Sequence, residues 1–283
     1  MTNHIEIFEV GPRDGLQNEA RNIPVSEKIA LVDCLSQAGF SRIEMASFVS
    51  PKWVPQMASS AEVLAGIKRA RGVSYAALTP NLRGFEDALA ARADEVAIFG
   101  SASEGFSRAN INATIAESLA RFVPVMQAAK EAGIRVRGYI SCVTDCPYDG
   151  AVAPAQVAYV ADQLFKMGCY EVSLGDTIGQ GTPETVSAML SAVSDVVPVE
   201  QMAGHFHDTA GRALENIDAS IQAGVRVFDA AVGGLGGCPY APGAAGNVAT
   251  ELAHDHLIKR GYDTGLNRDV LTKAADMSRA MRG

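Results

Sequence analysis

A chain of 283 residues has room for one large domain or two ordinary ones, and its 48% hydrophobic and 20% charged composition is that of a globular protein with a sizeable core. No stretch approaches the ~20 uninterrupted apolar residues of a membrane span. A formal net charge of −8 supplies no basic face, which argues against nucleic acid or an anionic membrane as partner.

Met1 to Val10 pass almost directly into alternating apolar residues, without the basic, apolar and small-residue sequence of a leader, so a cytoplasmic location is expected. Five scattered cysteines, at 34, 142, 146, 169 and 238, read as reduced thiols rather than a disulfide framework. Cys142 and Cys146 have zinc-like spacing, but no second pair follows, and ordinary buried thiols at a strand end are the better reading.

Eight β-prone runs recur in order: 5–10, 42–48, 74–78, 95–100, 135–142, 171–176, 202–208 and 227–234. Segments of helical periodicity such as SEKIALVDCLSQAG and PAQVAYVADQLFKMG separate them, each closing near a glycine. This alternation predicts an α/β fold of βαβ units with a parallel sheet. Eight units favour a closed TIM (β/α)8 barrel at about 5–246, and the tail of about 247–283 reads as extra C-terminal helices of the same single domain, 1–283.

Barrel enzymes build their sites at the carboxyl ends of the strands, which turns position into a site prediction. The first strand runs into Gly11, Pro12, Arg13, Asp14 and Gly15, the seventh ends in His205, Phe206 and His207, and the loop after the eighth carries Cys238 and leads to Asn247. Two histidines two apart on a strand face one side, here the interior. Asp14 and Asn247 bring oxygen ligands to the same rim, and such mixed N/O ligation suits a divalent ion, Mg2+ or Mn2+, better than structural zinc.

Glu44 sits inside the apolar run RIEMASF and needs a partner if buried, for which Arg13 is the candidate. The segment 233–250 is rich in glycine and small residues, and Cys238 at its centre offers a thiol able to transfer a proton. A loop of that composition with a reactive residue is expected to close over substrate.

VGPRDGLQNE at 10–19, SFVSPKWVPQM at 47–57, LGDTIGQGTP at 174–183, HFHDT at 205–209 and GGLGGCPYAPGAAGNVATE at 233–251 together resemble the 3-hydroxy-3-methylglutaryl-CoA lyase family. The resemblance implies a TIM barrel with Asp14, His205, His207 and Asn247 as ligands of Mg2+ or Mn2+, and Arg13 and Cys238 as catalytic residues. It assigns Glu44, Asp176 and Glu251 to the orientation of that machinery, with Arg13, Gln17 and Asp176 toward the substrate. It further implies a homodimer and an acyl-CoA substrate cleaved to acetyl-CoA and acetoacetate, with Asp14 or His205 as the base.

Two neighbouring reactions stay open: cleavage of another 3-hydroxyacyl-CoA, and the reverse-sense condensation of acetyl-CoA with a 2-keto acid. Cys238 in its glycine-rich loop favours cleavage.

Overall fold

The computed structural model describes residues 3–236 and 246–282. Eight parallel strands close into a barrel: β1 (Glu6–Glu9), β2 (Arg42–Ser47), β3 (Ser74–Leu78), β4 (Glu95–Ser101), β5 (Arg135–Ser141), β8 (Glu171–Asp176), β9 (Met202–Phe206) and β10 (Val227–Ala230), with β1 pairing both β2 and β10. Between β5 and β8 lies a small antiparallel pair, β6 (Asp145–Cys146) and β7 (Gly150–Ala151), which the pattern of apolar residues does not announce. A two-residue strand is too short to carry a period.

Helices α1 (Val25–Leu35), α2 (Ser60–Gly66), α3 (Leu82–Ala90), α4 (Glu104–Ile111), α5 (Ile115–Ala132), α6 (Pro154–Met167), α7 (Pro183–Ser194) and α8 (Ala213–Gln222) surround the barrel, and α9 (Thr250–Lys259) and α10 (Arg268–Met281) form the tail. Local chemistry sets their ends. Thr114 and Glu117 satisfy each other's backbone in a capping box at the start of α5, and α6 begins on Pro154 and stops at Gly168, whose φ is 107°. None of the described helices is long and apolar enough to cross a membrane.

Strand alternation divides the molecule into two interiors. Ile7, Ile43, Val136, Val172, Leu174, Phe206 and Phe228 are buried in the apolar layer that the strands share with the helices. Each fully buried residue of this size contributes ~1.5–3 kcal/mol by leaving water. The opposite faces carry Arg42, Glu44, Arg137, Glu171, Ser173, His205 and Asp229, all buried, so the barrel axis holds charge where many barrels stack branched aliphatics.

That column of charge is paired throughout. Arg137 Nε donates to Glu171 Oε1 at 2.6 Å, Arg42 Nη1 reaches the same oxygen at 3.0 Å, and Arg42 Nε meets Glu6 Oε1 at 2.7 Å. The Arg137 guanidinium also stacks 4.4 Å from the centre of the Phe8 ring.

Candidate metal centre

The turn after β1 builds the first wall. Backbone N–H groups of Arg13, Asp14 and Gly15 all reach the Val10 carbonyl, at 3.1, 2.8 and 3.3 Å, which tightens Gly11–Gly15 into a single π-helical turn. Its glycines admit close neighbours: a Cβ on Gly15 would lie 2.5 Å from the Leu235 Cβ, and one on Gly236, where φ is 85°, would lie 2.9 Å from the Gly15 Cα. This close approach lets Asn247 reach Asp14, with Nδ2 to Oδ2 at 2.8 Å.

β9 supplies the second wall. His205 lies within the strand, and His207, one residue past its end, forms an isolated bridge with Asn247. The two imidazole centroids are 5.4 Å apart. One ligand atom each from Asp14, His205 and His207 falls within 4.8 Å of the others. Ligands about 2.0–2.1 Å from a shared ion are separated by about 3–4 Å, so little adjustment is needed to surround a divalent cation.

The electrostatics suit a cation. Burial works to raise the Asp14 pKa, but Arg13, His205 and His207 outweigh it and hold the carboxyl down at about 2. Burial, reinforced by His205, depresses His207 to about 4, leaving a neutral imidazole with a lone pair to give. Its Nδ1 is buried without a hydrogen-bond partner among the described residues, an unsatisfied atom that an adjacent cation would resolve. Burial also opposes a charged His205, yet the hydrogen bond to Asp229 prevails and its pKa lies above the ordinary value.

Arg13 joins this centre to Glu44, as expected from the sequence. Nη1 contacts Asp14 Oδ1 at 2.6 Å and Nη2 contacts Glu44 Oε2 at 2.5 Å. Tyr139 donates to the same Glu44 oxygen at 3.1 Å, whereas Glu44 Oε1 is buried without a partner among the described residues. Burial pushes Glu44 above its usual range despite Arg13.

Other candidates take distinct places. Gln17 Nε2 donates to Asp14 Oδ1 at 3.1 Å, and Glu251 Oε2 accepts from the Gly233 N–H at 2.9 Å, tying α9 to the segment after β10. Asp176 accepts from Thr144 Oγ1 at 3.1 Å and from the N–H groups of Gln180 and Gly181 at 3.2 and 2.9 Å, so its described bonds organise the loop after β8. Cys238 lies outside the described residues. The other four cysteines are free thiols; burial pushes Cys142 far above the ordinary thiol range and Cys169 up to about 12, as suits inert thiols.

Asp229, Arg137 and Tyr139 escaped the sequence reading. Their signal was available in principle: Asp229 is the one polar residue of its strand, and Arg137 and Tyr139 take alternate, inward positions of theirs.

The HMGL-like family model matches residues 4–277. The chain belongs to the HMGL-like family. Among curated relatives, the 3-hydroxy-3-isohexenylglutaryl-CoA/hydroxy-methylglutaryl-CoA lyase of Pseudomonas aeruginosa is 58% identical over 279 residues, covering 99% of this chain and 93% of that protein. The mitochondrial hydroxymethylglutaryl-CoA lyase of Rattus norvegicus is 56% identical over 98% of this chain and 85% of its own length. The crystal structure of the HMG-CoA lyase from Brucella melitensis superposes with a TM-score of 0.98 at 59% identity, covering 99% of both chains. The barrel and its family membership thus agree with the motifs quoted above.

Proposed function

We propose that this protein cleaves 3-hydroxy-3-methylglutaryl-CoA into acetyl-CoA and acetoacetate at the mouth of its barrel. The observation that carries the reading is the convergence of Asp14, His205 and His207 beside Arg13, in a chain more than half identical to hydroxymethylglutaryl-CoA lyases along nearly its whole length. Asp14, His205, His207 and Asn247 would hold Mg2+ or Mn2+. Bound there, a divalent ion supplies Lewis acidity toward the tertiary hydroxyl and a template for the substrate's carboxylate.

The residues divide the remaining work. The hydroxyl proton passes to Asp14, the C2–C3 bond breaks, and its electron pair moves into the thioester as an enolate while C3 becomes a ketone. Arg13, oriented by Glu44 and Asp14, faces the charge growing on the thioester oxygen, a contribution of roughly 3–4 kcal/mol for one preorganised donor. Cys238 then protonates the enolate carbon to give acetyl-CoA. Glu251 and Asp176 steady the flanking loops, and Gln17 holds Asp14 and reaches toward substrate.

A second reading concerns the acyl chain, because the Pseudomonas aeruginosa relative is named for an isohexenyl substrate as well as the methyl one. Steady-state assays with Mg2+ on 3-hydroxy-3-methylglutaryl-CoA and 3-hydroxy-3-isohexenylglutaryl-CoA decide between them. Cleavage of the isohexenyl compound alone reassigns the substrate, and cleavage of neither overturns the proposal. We take a homodimer as the working assembly, to be checked by sedimentation.

A further inference from the structure

The two ring nitrogens of His205 have separate neighbours. Nε2 faces Asp14 Oδ2 at 3.9 Å, and Nδ1 lies 3.1 Å from Asp229 Oδ2. Asp229 is fully buried on β10, and its other partners among the described residues are all placed to donate. Arg137 grips both oxygens, with Nη1 to Oδ2 at 3.0 Å and Nη2 to Oδ1 at 2.7 Å, and Ser173 Oγ donates to Oδ2 at 2.8 Å. A guanidinium has no lone pair to offer, so the carboxylate it holds remains an acceptor. The only hydrogen bond left to His205 Nδ1 is one in which the imidazole donates.

We infer that Asp229 is a positioning residue that locks His205 as the Nδ1–H tautomer and thereby aims the Nε2 lone pair at the metal centre. Arg137 serves this role at one remove. Its Nε bond to Glu171, and the bonds from Arg42 to Glu171 and Glu6, brace the guanidinium along the barrel axis, so the carboxylate beneath His205 cannot swing away. The charged column is in this sense the foundation of one imidazole. A histidine ligand whose other nitrogen donates to a carboxylate is fixed in both tautomer and ring plane. The inference rests on the metal-centre reading for its purpose, though the tautomer itself is measurable without metal.

Two measurements test it. In metal-free protein carrying 15N-labelled histidine, at alkaline pH where the ring is neutral, the His205 resonances should show hydrogen on Nδ1 and a bare Nε2, with the assignment made by their loss in His205→Gln. Hydrogen on Nε2 would overturn the proposal. In Asp229→Asn, Arg137 keeps the amide oxygen, so the amide NH2 must donate to Nδ1 and force hydrogen onto Nε2. Mn2+ affinity should then fall by roughly 10–100-fold. Ser173→Ala removes a donor without altering the tautomer and should keep Mn2+ affinity close to that of the parent protein. Equal losses in the two variants, or undiminished affinity in folded Asp229→Asn, would reduce Asp229 to a packing role and refute the assignment. Should Asp229→Asn not fold, the tautomer in the parent protein decides. A parent protein that binds no Mn2+ would overturn the metal-centre reading, and the 15N measurement would still judge Asp229 separately.

Discussion

Arg13 Nε and Glu44 Oε2 lie 2.5 Å apart at the barrel mouth, with 6% and 0% of their side chains exposed. Neither charge has an alternative in water, so each exists there because of the other. Replacing Arg13 by Gln should therefore do two things. Turnover should fall by orders of magnitude with KM little changed, if Arg13 meets charge that develops mainly in the transition state. The fold should lose about 3–5 kcal/mol, because Glu44 is left as an unpaired buried carboxylate.

That loss should depend on pH in a definite direction. An acid whose folded pKa lies above its unfolded value favours the fold below the unfolded pKa, and this advantage disappears as pH rises through the folded one. Glu44 is already raised with Arg13 present, and without it must rise further. The gap in melting temperature between Arg13→Gln and the parent protein should thus be widest at neutral pH and close on acidification. A gap that is constant with pH would show that Glu44 carries no uncompensated charge in the variant.

Metal removal tests the other half of the site. Chelation should abolish cleavage, and Mg2+ or Mn2+ should restore it. His207→Ala deletes a proposed ligand whose neutral form is favoured by burial, and should weaken Mn2+ binding together with turnover. Unchanged affinity in a calorimetric titration would move the metal elsewhere.

Metal affinity should also carry a signature of the ligand pKa values. His205 is raised above its ordinary 6.5, whereas His207 stays neutral down to about 4 and Asp14 ionised down to about 2. One proton alone should therefore compete with metal between the His205 pKa and about pH 4, giving a tenfold loss per pH unit, and a second should steepen the slope below that. A slope near two throughout the window would contradict the arrangement.

Cys238 bears on the direction of the reaction. With serine in its place, the donor's pKa lies far above that of a thiol, and proton delivery to the enolate carbon should become slow. Cleavage should lose most of its turnover while Mn2+ affinity is retained. Near-normal cleavage by Cys238→Ser would take the thiol out of the mechanism and leave the metal centre standing.

Much of this molecule is written locally and is therefore legible. The eight runs at 5–10 through 227–234 coincide with the barrel strands, because burial of their outward faces against helices demands apolar residues at short, regular intervals. The last run extends less far than its apolar residues suggest: β10 stops at Ala230, and Val232–Gly234 turn away, with Gly233 at φ 64°. His205 and His207 declared themselves by two-residue spacing on a strand, and Asp14 by its place at a strand end, since the barrel places all carboxyl ends on one rim.

Pairings across the barrel are different in kind. Arg137 and Asp229 are separated by 92 residues, His205 and Asp229 by 24, and their contacts follow from strand order and register around the closed sheet. No local pattern of apolar residues encodes which inward charge will face which. Sequence alone marked one rim of the barrel as the place where candidate metal ligands gather, and which residue types furnish them. Tertiary structure decided that Tyr139 would join Arg13 on one oxygen of Glu44 while the other oxygen found no partner among the described residues, and that one nitrogen of His205 would be bound to Asp229 while the other was left to face Asp14. The physical reason is that a buried charge acquires its function from the partner brought to within about 3 Å of it, and in a closed barrel that partner comes from a different strand.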